Sequence, residues 1–385
     1  MTHYLDNAAT TYPKPDGVMK AFLESASYAY GNAGRASHQS AASASALLFD
    51  AREKIANHFG AECERVVFTE NATHALNLAI HALTPDRSHL LLSDIEHNAV
   101  LRPVHALASR GVTYSLFQSF AENGRDREAM LASLEKNLRP NTVGVIACHR
   151  SNCLPIELDL IAIGDFCRRH QLFFIVDAAQ SAGSAVIDMQ KAHITALCAP
   201  SHKGLYGLRG AGFAIFSKDV RDTDLLPLTL GGSGGDSRLF TMPDYLPERL
   251  EAGTRPIEII AALSEGIDFV TKTTPDEIRR KEEYLSRYLK DRLLKLPFVR
   301  VYFPRRDAVG CLLFNLSGQS ASSVAEALSE RGIALRDGLH CAPLAHRHTK
   351  TEKIGALRAS FGYFNTEDDA DALVYALKDV AMKKA

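Results

Sequence analysis

Short apolar segments recur along the first half of the chain, and stretches with helical periodicity lie between most of them. The segments are rich in β-branched and large aliphatic residues, which favours strands. Strands without polar alternation are buried on both faces, so their alternation with helices predicts an α/β fold with a mostly parallel sheet. The predicted strands cover residues 66–69, 89–93, 142–148, 172–178 and 212–217. The clearest helical pattern spans 39–59, where Gly60 follows as a C-cap.

The pattern changes after about residue 218. Residues 219–254 are rich in loop-forming sequence, and a long charged helix is expected over roughly 256–295. The remaining residues combine predicted strands and helices, as in a smaller α+β unit. We therefore expect a large domain at 15–255, and a smaller domain made of 1–14 and 256–385.

The charge balance argues against a nucleic-acid or membrane partner. The chain has 44 Lys and Arg residues against 45 Asp and Glu residues, a net charge of −1, and no basic run. Its start lacks the features of a secretory signal, and its longest apolar stretches are too short to cross a bilayer. The 7 cysteines have no paired spacing, which favours a reducing, cytoplasmic location.

Two candidate binding positions follow predicted strands, where ligands of doubly wound sheets sit. Asn71, Ala72 and Thr73 open a helix, whose free amides attract a phosphate; an ordinary Asn or Thr N-cap is the alternative. Asp177 ends the most apolar strand, so its carboxylate needs a partner such as a protonated pyridinium nitrogen. The alternative for Asp177 is a structural cap of the next helix.

The segment Ser201-His202-Lys203-Gly204 is a third candidate position, because it lies between a predicted strand and a glycine-rich turn. A lysine in such a turn can have a lowered pKa and form a Schiff base. Most turn lysines are simply solvated, which is the alternative interpretation.

Cys341 lies on a loop bounded by glycine and proline, with His340 beside it and Arg336 earlier in the loop. Nearby positive groups favour the thiolate, the form of cysteine that attacks as a nucleophile. A metal is the alternative, since Cys341, His346 and His348 have a C-x4-H-x-H spacing. Zinc sites usually show a second pair of ligands, so no metal is predicted.

The order of these motifs resembles the cysteine desulfurase and selenocysteine lyase family, in the class V aminotransferase group of fold-type I pyridoxal 5′-phosphate (PLP) enzymes. The resemblance extends from Tyr4 to Glu367, and the short loop before Cys341 is similar to that of group-II members. It implies a seven-stranded type of sheet between helices plus a smaller α+β domain. The motifs are Asn71-Ala72-Thr73, Glu96-His97-Asn98, Asp177-x-x-Gln180, His202-Lys203, Gly253-Thr254, His340-Cys341-Ala342-Pro343 and Arg358-x-Ser360.

The resemblance also implies roles for individual residues. Lys203 carries PLP as a Schiff base and moves protons, and Cys341 attacks the sulfur of L-cysteine or the selenium of L-selenocysteine. The other implied contacts are His97, Asp177 and Gln180 with the PLP ring; Ala72, Thr73, Ser201 and His202 with its phosphate; Thr254 with the phosphate of a neighbouring subunit; Asn152 and Arg358 with the substrate carboxylate; and Arg35 with the partner's site. A homodimer with shared sites and a protein sulfur acceptor are therefore expected.

Several positions depart from the family's pattern. The turn after Asn152 is shorter than usual and contains Cys153, a possible second reactive thiol, which leaves the substrate open. Ser201 replaces a usual glycine, Arg255 and Pro256 replace a Pro-Asn pair, and Asp337 stands where a small hydroxyl residue is common. The alternative functions are a selenocysteine lyase, C–S β-lyase, aminotransferase or epimerase, and a scaffold without catalysis.

Overall fold

A computed structural model describes residues 2–34, 37–121, 124–234, 238–307 and 309–382. Its main sheet has seven strands in the order β2-β8-β7-β6-β5-β3-β4, and only β8 runs antiparallel to its neighbours. The strands of the described residues are β1 (His3–Tyr4), β2 (Val66–Thr69), β3 (His89–Ser93), β4 (Thr113–Phe117), β5 (Thr142–Cys148), β6 (Phe173–Asp177), β7 (Ala196–Pro200), β8 (Gly212–Phe216), β9 (Val299–Val301), β10 (Cys311–Leu316), β11 (Ile333–Ala334), β12 (Arg336–Gly338) and β13 (Ala356–Ser360).

Helices cover both faces of this sheet. Along β3, Leu91 packs on one face with residues of α2 and α6, whereas Leu90 and Leu92 pack on the other with α3 and α4. The α-helices of the described residues are α1 (Asp16–Ser27), α2 (Gln39–Phe59), α3 (Ala72–Leu83), α4 (Asn98–Ala106), α5 (Asp126–Asn137), α6 (Leu160–Arg169), α7 (Ile257–Thr273), α8 (Pro275–Leu293), α9 (Ala321–Ser329), α10 (Pro343–Thr349) and α11 (Glu367–Met382). The predicted helix at 39–59 is confirmed, with Gly60 in the left-handed conformation that its C-cap role requires.

The C-terminal part forms a second core around an antiparallel sheet of four strands, β12-β13-β10-β9. Helices α8, α9 and α11 pack against it. The start of the chain joins this part, because β1 pairs in parallel with β11. The domain limits at 15–255 and at 1–14 with 256–385 stay a prediction.

The single helix expected over roughly 256–295 is wrong, because two helices occupy that segment. Thr274 separates α7 from α8 with a φ of 74°, and Pro275 follows it. A residue before proline is disfavoured in helical conformation, which explains the break. The apolar α7 packs against α1 and α2, so it contributes to the core of the main sheet, whereas the charged α8 packs against the second sheet.

None of the helices in the described residues is long and apolar enough to cross a membrane.

The parallel strands bring the candidate residues to one edge of the main sheet. Strands β2, β3, β5, β6 and β7 point the same way, so the segments after them emerge side by side. Asp177 ends β6, and the turn that contains Lys203 follows β7. The topology therefore places both residues at the position where doubly wound sheets bind ligands.

The turn that contains Lys203 packs tightly against a neighbouring backbone turn at Gly183. A Cβ atom on Gly183 would overlap the carbonyl oxygen of Gly204, next to Lys203. We expect Gly183→Ala to lower the free energy of unfolding by about 2 kcal/mol or more, because backbone atoms cannot rotate away as side chains do.

The matched control for this prediction is Gly231→Ala, whose Cβ would lie 3.6 Å from the nearest atom, in Ala252. Urea unfolding of both variants checks it. Equal stability of Gly183→Ala and Gly231→Ala would contradict the tight contact between the two turns.

Candidate active site

A narrow cleft opens at the carboxyl edge of the main sheet; we refer to it as the Lys203 cleft. It brings together most of the residues that the sequence indicates. Its lining includes Asn71, Ala72, Thr73, His97, Cys148, Asn152, Asp177, Gln180, His202 and Lys203.

One end of the cleft offers hydrogen-bond donors around the start of α3. Asn71 is the N-cap of this helix, and its Oδ1 accepts a hydrogen bond from the His74 amide at 2.9 Å. The cap interpretation therefore holds for Asn71, while Thr73 in the first turn lines the cleft. Nearby, His202 Nδ1 is buried and has no hydrogen-bond partner among the described residues. Ser201 Oγ is also buried and unpaired there, but it lies against Gly207 and does not line the cleft. An unpaired buried polar atom beside a helix N-terminus fits an anionic ligand.

The backbone beside Lys203 is held by the N-terminal segment. The carbonyl oxygen of His202 accepts hydrogen bonds from the Thr11 amide at 3.0 Å, from Thr10 Oγ1 at 3.1 Å and from Lys14 Nζ at 3.0 Å. Burial and the charge of Arg209 lower the pKa of Lys14 to about 7. Sequence reasoning missed this role of Thr10, Thr11 and Lys14, because its only signal was the resemblance of the N-terminal motif.

Asp177 is almost fully buried at the end of β6. Its Oδ1 accepts a hydrogen bond from the Ala179 amide at 2.9 Å. Burial raises the pKa of Asp177, and the charge of Lys203 acts in the opposite direction. Lys203 lies in the same buried region, and burial lowers the pKa of its amine against the effect of Asp177. The two groups therefore stabilise each other's charged forms.

Glu96 is a second buried carboxyl group near Asp177, and sequence reasoning gave it no role. Its Oε1 accepts hydrogen bonds from the Cys148 amide at 2.6 Å and from the Ser93 hydroxyl, whereas Oε2 is buried without a partner among the described residues. Burial raises the pKa of Glu96 to about 8, with a further contribution from the charge of Asp177. Glu96 is therefore neutral near pH 7.

His97 and Gln180 both line the cleft. His97 caps α4, and its Nδ1 accepts a hydrogen bond from the Ala99 amide at 3.0 Å. Burial and then the charge of Lys203 lower the pKa of His97 to about 4, so the imidazole is neutral. The Gln180 amide donates to the carbonyl oxygen of Ala8 at 2.9 Å, which fixes its orientation.

The loop at residues 336–342, which we call the cysteine loop, lies beside the cleft. Cys341 is the exposed cysteine of the chain's described residues, and Arg336 Nη2 lies 3.8 Å from its Sγ. Two contacts join the loop to the cleft. The Asn98 amide donates to the carbonyl oxygen of Cys341 at 2.8 Å, and Asn152 Nδ2 donates to that of His340 at 2.8 Å.

Arg358 connects three parts of the chain below this loop. The fully buried guanidinium forms an ion pair with Asp6 at 2.6 Å and donates to the carbonyl oxygen of Asn152 at 3.1 Å. Its Nε is buried without a partner among the described residues. The contact with Asp6 could not be read from the sequence, since 352 residues separate the pair.

Five predicted residues are not among those that line the Lys203 cleft, namely Cys341, Arg358, Ser201, Thr254 and Arg35. Arg35 lies outside the described residues. Thr254 lies elsewhere on the surface of the chain, where its hydroxyl accepts a hydrogen bond from Asn32 Nδ2 at 3.3 Å. The cleft lining within the described ranges does not include it.

The structure does not bring together the C-x4-H-x-H residues. His348 binds Asp94 at 3.2 Å, and His346 faces His340 rather than Cys341. In the described part of the chain, the ligand atoms that do cluster belong to Cys153, His340 and His346. Cys153 is fully buried, and burial raises its pKa to about 12, which argues against a second reactive thiol.

The fold and sequence both have close counterparts among known proteins. A probable cysteine desulfurase of Methanothermobacter thermautotrophicus is 29% identical over 98% of this chain and 94% of its own length. A probable cysteine desulfurase of Halobacterium salinarum is 31% identical over 98% of this chain and 91% of its own. The apo structure of a cysteine desulfurase from Thermococcus onnurineus superposes with a TM-score of 0.88, at 27% identity, over 98% of this chain and 94% of that one.

These likenesses confirm the predicted α/β fold with its mostly parallel seven-stranded sheet. The sequence model of the class-V aminotransferases matches residues 3–373, nearly the whole chain. The chain therefore belongs to the class-V aminotransferase family.

Proposed function

We propose that this chain is a PLP-dependent cysteine desulfurase, which converts L-cysteine to L-alanine and leaves the sulfur as a persulfide on Cys341. The observation that carries the proposal is the half-buried Lys203, which lines the same cleft as Asp177, a cleft that the cysteine loop borders. The family and its named relatives support the same chemistry.

The Lys203 cleft fits each part of PLP. The start of α3, with Ala72 and Thr73, and the unpaired Nδ1 of His202 would hold the phosphate. Ser201 is assigned to the phosphate on the family resemblance alone. Asp177 would pair with the ring nitrogen, His97 would face the ring and Gln180 its hydroxyl, while Lys203 would bind the aldehyde as a Schiff base. When bound, PLP supplies an electron sink for negative charge that develops on the amino acid.

The lowered pKa of Lys203 suits the two tasks proposed for its amine. A neutral amine attacks a carbonyl carbon, and an amine whose pKa is nearer neutrality accepts and returns a proton at Cα of the substrate. Burial is the main cause of the lowered pKa of Lys203, and the charges of Arg358 and Arg336 act in the same direction, against the effect of Asp177.

Substrate positioning is assigned to Arg358 and Asn152, which meet each other next to the cysteine loop. A guanidinium can bind a carboxylate through two parallel hydrogen bonds, which fixes the orientation of the amino acid. We assign Arg35 to the partner's site on the basis of the family resemblance.

The sulfur step follows from the position of Cys341. Its thiolate attacks the substrate sulfur, the Cβ–S bond breaks, and protonation completes alanine. Cysteine and the Cys341 thiol together become alanine and a persulfide, so atoms balance without an added oxidant. The persulfide is then available to a protein acceptor or to a reductant.

A neutral Glu96 preserves the charge balance of this site. Two buried carboxylates at close range cannot both ionise at low cost, so one takes up a proton. With Glu96 protonated, Asp177 is the carboxyl group that we assign to the ring nitrogen, because the Ala179 amide and the charge of Lys203 favour its ionised form against the effect of burial.

We also propose a homodimer with shared sites and a cytoplasmic location. The position of Thr254 outside its own chain's cleft supports a role in the neighbouring subunit. The free thiols of the described residues, most of them buried, are consistent with a reducing compartment.

L-Selenocysteine is the alternative substrate, and C–S β-elimination, transamination and epimerisation are the alternative reactions. The products separate them. Alanine with sulfide or selenide indicates removal of the chalcogen, pyruvate with ammonia indicates a β-lyase, and a keto acid or D-amino acid indicates the other reactions.

The first prediction of this proposal concerns Cys341. We expect Cys341→Ala to lower alanine formation from cysteine at least about a thousandfold, because no other group replaces the nucleophile. Its PLP absorbance band should stay, since the cofactor is bound elsewhere.

The matched control is Cys63→Ala, which removes the other cysteine that is not fully buried. It should keep wild-type activity. Alanine formation by Cys341→Ala at the wild-type rate would disprove the assigned nucleophile, and a missing PLP band that added PLP does not restore would favour a scaffold.

The second prediction concerns the pH dependence of stability. The pKa of Glu96 rises from 4.5 to about 8 on folding, so folding favours its protonated form. As pH rises from 4.5 to about 8, the free energy of unfolding of the wild type should therefore fall relative to that of Glu96→Gln, by about 1 kcal/mol per pH unit.

Denaturant unfolding across the same pH range measures this difference. Glu330→Gln, at an exposed glutamate, should show no such trend. A pH-independent difference between the wild type and Glu96→Gln would mean that Glu96 is ionised in the folded protein.

The third prediction concerns Thr254. Thr254→Val should weaken PLP binding about tenfold or more, the effect of one lost hydrogen bond to a charged group. In a mixed dimer, one chain carries Thr254→Val and the other carries Lys203→Ala. The site that contains the intact Lys203 then receives an intact Thr254 from the other chain. This site should regain wild-type PLP affinity.

The control replaces the Lys203→Ala chains with Lys203→Ala/Thr254→Val chains. Neither chain then supplies Thr254, so the affinity for PLP should stay weak. PLP titration measures both. Weak binding in both mixtures would place Thr254 with its own chain's site.

A further inference from the structure

A row of buried hydrogen bonds runs behind the cysteine loop. His340 Nε2 contacts the carbonyl oxygen of Arg336 at 3.3 Å, and His340 Nδ1 lies 3.1 Å from His346 Nε2. His346 Nδ1 in turn lies 2.6 Å from Thr351 Oγ1. The row therefore connects Thr351 to the first residue of the loop that carries Cys341.

The geometry of the two histidines is that of a hydrogen bond rather than a shared metal ion. Their ring planes differ by 9° and their centroids lie 5.3 Å apart. This separation is close to the nitrogen–nitrogen distance plus the two ring radii, so the nitrogens lie nearly on the line between the rings. Their lone pairs would point at each other, whereas a metal needs both to converge on a third point.

The Arg336 carbonyl determines which nitrogens carry protons. A carbonyl oxygen can only accept, so His340 Nε2 must donate and His340 Nδ1 must accept. His346 then donates from Nε2, and its Nδ1 accepts from the Thr351 hydroxyl. The Thr349 hydroxyl lies 2.5 Å from Thr351 Oγ1 and donates to it in this arrangement, so the Thr351 proton points to His346.

Burial keeps this arrangement neutral. His340 and His346 are nearly inaccessible to solvent, as is Thr351. Burial and the charge of Arg358 lower the pKa of His340 to about 2, and burial also lowers the pKa of His346. The row therefore keeps its proton order at any pH where the enzyme is expected to work.

The loop that this row supports has an unusual backbone. His340 and Cys341 both have positive φ values, 52° and 55°, a conformation that costs residues with a side chain energy. Consecutive residues of this kind stay in place only where surrounding contacts hold them. The His340 side chain supplies one such contact through Arg336, and its carbonyl supplies another through Asn152.

We propose that His346 and Thr351 are positioning residues for Cys341, which act through His340 to hold the cysteine loop in its strained conformation. The inference rests on the proposed role of Cys341 as nucleophile. Neither residue touches the substrate, so the effect should fall on the rate of the sulfur step rather than on substrate affinity.

Two variants of Thr351 test the row. Thr351→Val keeps the shape but removes the hydroxyl that donates to His346, which leaves His346 Nδ1 buried without that partner. Thr351→Ser keeps the hydroxyl. Thr84→Val is the matched control, because Thr84 is also buried but its hydroxyl has no partner among the described residues.

The measurements are amide hydrogen exchange of peptides that cover residues 336–342, and kcat and KM for cysteine. We expect Thr351→Val to exchange about three- to tenfold faster in these peptides and to lose kcat by a similar factor, with KM within about twofold. Thr351→Ser and Thr84→Val should both match the wild type.

Unchanged exchange in Thr351→Val would overturn the inference, as would faster exchange with unchanged kcat. Full activity of Cys341→Ala would instead contradict the proposed function. If Thr351→Val does not fold, His346→Gln and His346→Leu replace it, because the glutamine amide can still donate to His340 and leucine cannot. Equal exchange and kcat in that pair would also overturn the inference.

Discussion

Asp177 and Lys203 place a carboxylate and an amine in a buried region at the ends of the adjacent strands β6 and β7. Burial disfavours both charges, and each group offsets part of that cost for the other. Burial is also the main reason why Glu96 and His97 are neutral, and the charges of Asp177 and Lys203 add to that effect. Burial therefore sets the proton distribution of the site, and the Asp177–Lys203 pair reinforces it.

The residues at the strand ends could be predicted because they all follow strands of one parallel sheet. In a parallel sheet the segments after neighbouring strands meet, so apolar runs followed by Asn71, Asp177 and Lys203 already indicated a common site. Five of the strands were recognised for the same reason, since buried strands have no polar alternation. Strand β4, which is half exposed, has a weaker signal and was not predicted.

The remaining parts of the site depend on contacts between distant segments. The ion pair of Arg358 with Asp6, and the hold of Thr11 and Lys14 on the backbone of His202, join residues nearly two hundred or more positions apart. Periodicity and local motifs contain no information about such pairs. The row from Thr351 to His340 could not be predicted for another reason, because the sequence grouped His346 with Cys341 and His348 as a metal alternative and gave no signal for Thr351.

The N-terminal segment has a consequence for how the protein is made. β1 pairs with β11, Asn7 Nδ2 donates to the carbonyl oxygen of Ser360 at 3.1 Å, and Thr11 binds the backbone of His202. The segment at residues 3–11 therefore reaches its contact with His202 before its contacts with β11 and Ser360, which are synthesised more than a hundred residues later. Cys341 and Arg358 also belong to this later part, so the site is completed only after these residues have emerged.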